Sequence, residues 1–306
     1  MSLALLFAGQ GTQHVAMLPW LKTCPEAEPT LALIAAQLGA DWRDRLALPD
    51  WAYSNAVAQP LLTGLGVAAW QGLAPRLPTP AVVAGYSVGE LAAFCVTGVF
   101  DAHTAMALAA DRAAAMDRAA VGIDTGLMSV QGLDKAAQRA ACARYGIFLA
   151  IRLAADRAVL GGLSEALTAA ERGLSAEGVR CTRLAVGIAS HTPLMSAAAI
   201  AFDARLNALN LSPPDSVLVC NHTGAPEHEP SRLKQWLARQ VETPVLWDSC
   251  MDAIAERRVR CVLEVGPGNA LTKIWRDRYP DIPVRSVDEF RSVDAISRWA
   301  HAALDD

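Results

Sequence analysis

Three short runs in which nearly every side chain is apolar punctuate a chain whose other apolar residues recur at helical spacing. Residues 3–7 run into Ala8-Gly9-Gln10-Gly11, residues 81–84 into Gly85-Tyr86-Ser87-Val88-Gly89, and residues 260–265 into Gly266-Pro267-Gly268. A strand without polar alternation is one buried on both faces, as in a parallel sheet covered by helices. Helical spacing occupies residues 30–38, 59–70, 102–119 and 192–209 between and after those runs. The pattern predicts an α/β protein.

The middle of the chain follows a different rhythm. A strand at 126–131 precedes a helix at 134–144 with Asp134 as its N-cap. Strands at 147–153 and 158–160 read as a hairpin, a helix at 164–175 starts on Ser164, and a strand closes at 179–186. This β-α-β-β-α-β order is that of a ferredoxin-like unit. The predicted organisation is a small subdomain over 122–188 inserted into a larger α/β domain built from 1–121 and 189–306. The polar, proline-containing stretch 223–231 reads as a surface loop.

Composition narrows the class. Apolar residues make up 53% of the 306 and charged residues 19%, which excludes a disordered chain. No stretch reaches the ~18–20 continuous apolar residues of a membrane span, and residues 1–8 read as a first strand, not a signal peptide. A net charge of −4 argues against general nucleic-acid binding. The seven cysteines are scattered without a CxxC pair, so neither a disulfide framework nor a metal site is expected, and a cytoplasmic setting is.

Gly85-Tyr86-Ser87-Val88-Gly89 fits the G-x-S-x-G turn between strand and helix, which lifts a serine hydroxyl clear of the sheet. The following helix starts beneath that serine and offers its first N–H groups to developing negative charge. The bland reading is a glycine-rich turn with a surface serine. Of the six histidines, His191 lies between a strand and a helix, where catalytic groups gather. His103 reads as a surface residue, His222 and His228 lie in or beside the polar 223–231 stretch, and His14 is a weaker candidate.

Taken together these segments resemble the malonyl-CoA:acyl carrier protein transacylases, the acyltransferases of fatty-acid and polyketide synthesis. The resemblance is carried by Gly9-Gln10-Gly11-Thr12-Gln13, Gly85-Tyr86-Ser87-Val88-Gly89-Glu90, Arg112 with Met116, Ser190-His191 before Leu194-Met195, and Glu264-Val265-Gly266-Pro267-Gly268. It implies an α/β-hydrolase-like large domain beside the ferredoxin-like insert. Ser87 would take the acyl group, with His191 as general base and the Gln240 backbone carbonyl orienting that histidine. The N–H groups of Gln10 and Val88 would form the oxyanion hole. Arg112 would pair with the malonyl carboxylate, and Gly9, Gly11, Tyr86, Met116 and Ser190 would line the acyl site. It also implies malonyl-CoA as donor, the phosphopantetheine-type thiol of an acyl carrier protein as acceptor, and no bound cofactor. The chain would act as a monomer or within a multi-subunit complex.

The sequence departs from the family at Tyr86, where histidine is usual, and at Ile151-Arg152-Leu153, where the family often carries asparagines. Arg152 would replace that polar contact or serve CoA phosphates, and Tyr86 would reshape the acyl pocket. Ala16-Met17-Leu18 and the segment 285–292 look more like the transacylase subunit of malonate decarboxylase. Without the resemblance, Arg112 reads as a solvated helix charge beside Asp111. Two rivals remain: a serine esterase or thioesterase of α/β-hydrolase type, with His301 and Asp281 or Asp288 completing a triad, and a non-catalytic carrier-docking module. Residues 257–260 and 273–278 are expected to form a basic patch near the Gly266-Pro267-Gly268 turn.

Overall fold

The computed structural model describes residues 2–305, so Met1 and Asp306 lie outside the described residues. The structure is a mixed α/β fold built on two sheets. Eleven strands occur among those residues: β1 (Leu3–Phe7), β2 (Val82–Gly85), β3 (Thr125–Gln131), β4 (Phe148–Arg152), β5 (Arg157–Leu163), β6 (Arg180–Arg183), β7 (Val217–Cys220), β8 (Ala225–Glu227), β9 (Val245–Leu246), β10 (Cys261–Val265) and β11 (Val284–Ser286). The larger sheet runs β11-β10-β1-β2-β7-β8, parallel except for β8 at its edge. Leu3, Leu5 and Phe7 enter one core cluster and Ala4 and Leu6 the other, so β1 is buried on both faces, as its unbroken apolar run predicts. Helices Asn55–Leu73, Gly89–Val96 and Ala102–Ala119 pack on the first of those faces. None of the described helices is long and apolar enough to cross a membrane.

The smaller sheet runs β6-β3-β5-β4-β9. Its first four strands pair antiparallel and carry the helices Lys135–Tyr145 and Ser164–Ala176 between them. Asp134 caps the first helix by accepting from the Ala136 and Ala137 N–H groups, as expected. Ser164 does not cap the second: its hydroxyl donates to Asp124, at 2.6 Å, and Leu163 holds the cap position. The fifth strand was not legible, because β9 is two residues long and comes from the far part of the chain to pair parallel with β4. The expected strand at 179–186 is shorter than its apolar pattern. The 223–231 stretch is not wholly loop, since Ala225–Glu227 adds the antiparallel edge strand β8, where Pro226 is tolerated.

Register explains why three distant turns meet. Phe7 lies beside both Gly85 and Val265, so the segments that follow β1, β2 and β10 leave the sheet side by side at its C-terminal edge. That edge is where open parallel sheets hold their ligands. Only part of the expected basic patch lies there: Lys273 and Arg276 are exposed on the helix Ala270–Arg278 that follows the turn, but the 257–260 cluster is elsewhere. Arg257 and Arg258 precede β10, and the Arg260 N–H bonds Ser2 O at the opposite edge of the sheet. Five strand residues at ~3.3 Å each put that cluster about 17 Å from the Gly266-Pro267-Gly268 turn. Arg278 is also withdrawn, paired with Asp252 at 2.6 Å.

Candidate active site

The turn after β2 is made possible by two glycines. A Cβ on Gly85 would lie 2.1 Å from the carbonyl carbon and oxygen of Gly89, and one on Gly89 would lie 2.4 Å from the Phe7 carbonyl oxygen. Nothing larger lets β2 fold back onto its own helix. Gly85→Ala is therefore expected to cost more than about 3 kcal/mol, read as a lower urea midpoint; an unchanged midpoint would show that the turn has room. Between the glycines, Ser87 is held at φ +54°, a left-handed conformation that L residues seldom adopt. His191 is the second such residue at the site, at φ +63°, with its N–H bonded to the Val241 carbonyl.

Ser87 and His191 meet. The Ser87 Oγ lies 2.7 Å from His191 Nε2, and His191 Nδ1 lies 2.6 Å from the Gln240 carbonyl oxygen. A carbonyl can only accept, so Nδ1 carries the hydrogen and Nε2 is left free to accept from the serine hydroxyl. Burial pushes the imidazole down to about 3, helped by the nearby Arg112 and opposed by the Gln240 bond. The histidine is therefore neutral throughout the neutral range, as a general base requires.

Arg112, on the Ala102–Ala119 helix, is buried and not solvated, while its neighbour Asp111 pairs with Arg205. Its Nη1 donates to Gln59 Oε1 at 2.7 Å and its Nη2 to Gln240 Oε1 at 2.8 Å. Both acceptors are neutral amides, and the buried Nε has no partner. Burial pushes the guanidinium down to about 10, against the pull of Glu90. A buried cation held by neutral oxygens keeps its charge available to an anion. Gln59 also donates to the Met116 sulfur at 3.5 Å, which fixes that methionine beside the same guanidinium.

The remaining expected residues fall at or near this edge. Gln10 follows β1 and ties its side chain to Asn55, while Val88 directly precedes the Gly89–Val96 helix. A Cβ on Gly9 would lie 2.7 Å from both the Tyr86 ring and its carbonyl oxygen, so the two turns touch. Gly11 takes φ +95°, which its lack of a side chain permits. The Tyr86 ring packs edge-on against Trp247, 5.2 Å between centroids, so it is a wall against Gly9. Ser190 is buried beside His191. Arg152 instead grips Asp248 through Nε at 2.7 and 2.6 Å and Ser249 through Nη2 at 2.7 Å, binding the smaller sheet to the helix Trp247–Ala255 rather than standing free for phosphates. His14 bonds Asp288, and His301 bonds the Arg76 carbonyl, so neither serves Ser87.

Three buried polar side chains escaped the sequence reading as separate contributors: Gln59, Glu90 and Asn221. Glu90 Oε1 accepts from the Asn221 N–H at 2.6 Å and Oε2 from Gln240 Nε2 at 2.8 Å. Burial pushes the Glu90 carboxyl up to about 8, against those two bonds and Arg112. The only signal in sequence is, for Gln59, a polar residue inside an apolar stretch and, for Asn221, a polar residue directly after a short apolar run.

Comparisons with known proteins point to one kind of chemistry. A family model described as acyl transferase domain matches residues 5–301. A malonyl CoA-acyl carrier protein transacylase of Mycobacterium tuberculosis (strain ATCC 25618 / H37Rv) is 32% identical over 300 residues, covering 96% of this chain and 99% of the relative. Its counterpart in Escherichia coli (strain K12) is 31% identical over 285 residues, covering 89% and 91%. An acyl-carrier-protein S-malonyltransferase from Burkholderia pseudomallei 1710b superposes with a TM-score of 0.91 at 27% identity, over 97% of this chain and 100% of that one. A structure of a type II PKS acyl-carrier protein in complex with its malonyl-transacylase contains a chain that superposes at 0.91 and 27% identity, over 100% and 99%.

Proposed function

The chain belongs to the acyl transferase domain family, and from that premise we propose that it moves a malonyl group from malonyl-CoA to the thiol of an acyl carrier protein through an ester on Ser87. The observation that carries the reading is the line from Ser87 Oγ to His191 Nε2 to the Gln240 carbonyl, with Arg112 buried beside it and lacking an anionic partner. In the first half-reaction Ser87 Oγ attacks the thioester carbonyl while His191 Nε2 takes the hydroxyl proton. The oxyanion lies against the N–H groups of Gln10 and Val88. The C–S bond then breaks, and His191 returns the proton to the departing CoA sulfur. In the second half-reaction the carrier thiol gives its proton to His191 and attacks the ester, and Ser87 recovers the proton as it leaves. Every proton and charge in this scheme is handled by the chain's own groups.

Arg112 selects the acyl group by pairing its guanidinium with the malonyl carboxylate. Met116, Ser190, Gly9, Gly11 and the Tyr86 wall bound the site around it. We assign residues 1–121 and 189–306 to an α/β-hydrolase-like catalytic domain and 122–188 to a ferredoxin-like subdomain. The strand order of the smaller sheet supports that assignment. Seven free cysteines support a reducing, cytoplasmic setting.

The test is direct. Mixed with malonyl-CoA, the protein is expected to gain a malonyl adduct mapped to Ser87 by mass spectrometry, and to lose it to a phosphopantetheinylated carrier. Absence of the adduct overturns the reading. The rate of loading is also expected to stay level as the pH falls from about 7 to about 5. The sign follows from His191: a base held near 3 instead of its ordinary 6.5 is still neutral at those values. A half-maximal rate near the ordinary value would show that the imidazole is not desolvated as the structure has it.

A further inference from the structure

We propose that Asn221 is a positioning residue of the nucleophile turn, its carboxamide holding Ser87 in the left-handed conformation from which the hydroxyl reaches His191. This rests on the reading of Ser87 as the residue that is acylated, and it adds a group that none of the sequence segments supplied. Asn221 directly follows β7 and is fully buried. Its Oδ1 accepts from the Ser87 N–H at 2.8 Å, and its Nδ2 donates to the Gly85 carbonyl at 2.6 Å. One side chain therefore spans the turn from the strand that enters it to the serine at its apex. The Ser87 carbonyl is tied as well, accepting from Gln240 Nε2 at 2.8 Å.

These two tethers converge on one carboxyl group. Glu90 takes the Asn221 N–H on one oxygen and the Gln240 side chain on the other. Gln240 is also the residue whose carbonyl orients His191. The serine's clamp and the histidine's guide thus share a single buried anchor. This arrangement accounts for asparagine specifically. The turn needs one donor and one acceptor from the same short side chain. An ionised aspartate would turn an acceptor toward the Gly85 carbonyl and bury a negative charge beside Glu90. An apolar residue would leave the Ser87 N–H and the Gly85 carbonyl without their partner.

The residue's ionisable surroundings are few. Glu90 approaches from the Gly89–Val96 helix. The Cys220 thiol precedes it in the chain, and Cys250 approaches from the Trp247–Ala255 helix; both thiols are pushed far up by burial. His191 lies across Ser87, Arg112 lies beyond Gln240, and His222 follows in sequence and stacks on Trp236.

Rapid-quench measurement of malonyl loading onto Ser87, in Asn221→Ala, Asn221→Asp and the parent protein, tests the proposal. Asn221→Ala is expected to load ~10–100-fold more slowly, with KM for malonyl-CoA unchanged and the preference for malonyl over acetyl retained, because Arg112 keeps its partners. Asn221→Asp carries a pH signature. Protonated, its carboxyl has one donor and one acceptor again, so its rate relative to the parent is expected to climb as pH falls from about 8 to about 5. A merely structural role would not produce that rise within one folded sample. Loading by Asn221→Ala at the parent rate, or a pH-independent ratio for Asn221→Asp, overturns the proposal. If Asn221→Ala does not fold, the Asn221→Asp profile decides alone. Failure of the parent protein to load overturns the functional reading instead, which keeps the two failures distinct.

Discussion

Ser87→Ala is expected to lower malonyl transfer by about 10⁶-fold, the scale on which removal of a serine nucleophile has been felt in a serine hydrolase. The attacking oxygen must stand at the turn apex and within reach of His191 Nε2, which Ser87 Oγ does at 2.7 Å. His191→Ala should fall almost as far, since the two groups act as one unit. The double variant should be little worse than either single change. The measurement is transfer from malonyl-CoA to a phosphopantetheinylated carrier with a free thiol, with thermal unfolding as the control. Transfer by Ser87→Ala within tenfold of the parent would mean that the acyl group does not pass through this serine.

Arg112→Ala carries the second large effect, and its value lies in a ratio. A hydrogen bond to a charged group is worth about 1.5–3 kcal/mol, so malonyl transfer should fall roughly 10–150-fold further than acetyl transfer. Some loss is expected for both substrates, because Arg112 also holds Gln240, whose carbonyl directs His191. That shared loss measures positioning, and the excess for malonyl measures recognition of the carboxylate. Arg112→Lys should recover part of the excess, since a single ammonium keeps the charge without the planar fork. Equal losses for both acyl groups would assign Arg112 a purely structural part.

These two predictions reach the site by different routes. Ser87 was legible in sequence because a strand-to-helix turn leaves a local signature: an apolar run, two glycines at fixed spacing, then helix. His191 was legible as a residue between strand and helix, and Arg112 only through the resemblance. Asn221 and Gln59 left almost no local trace, because one merely ends an apolar run and the other is a single polar residue inside one, and each does its work across a distance in sequence. Glu90 was visible as part of a segment, but its function as a shared anchor depends on which donors face it. The 257–260 half of the basic patch failed for a related reason. Residues 257–260 and the turn at 266–268 are close in sequence, but a strand between them carries them to opposite edges of the sheet.

Periodicity and glycine spacing by themselves determined the α/β class, the β-α-β-β-α-β order of elements over residues 125–183 and the turn that presents Ser87. Those features follow from steric and hydrophobic rules that act within about ten residues of chain. Tertiary structure alone decided the rest. It set the parallel register that brings the ends of β1, β2 and β10 together, and the fifth strand lent to the smaller sheet. It also removed Arg112 from solvent and joined Ser87, Asn221, Glu90, Gln240 and His191 into one buried network. Burial and long-range pairing are properties of the packed chain. A polar residue's partners, and therefore its charge state and chemistry, are chosen only when distant segments close over it.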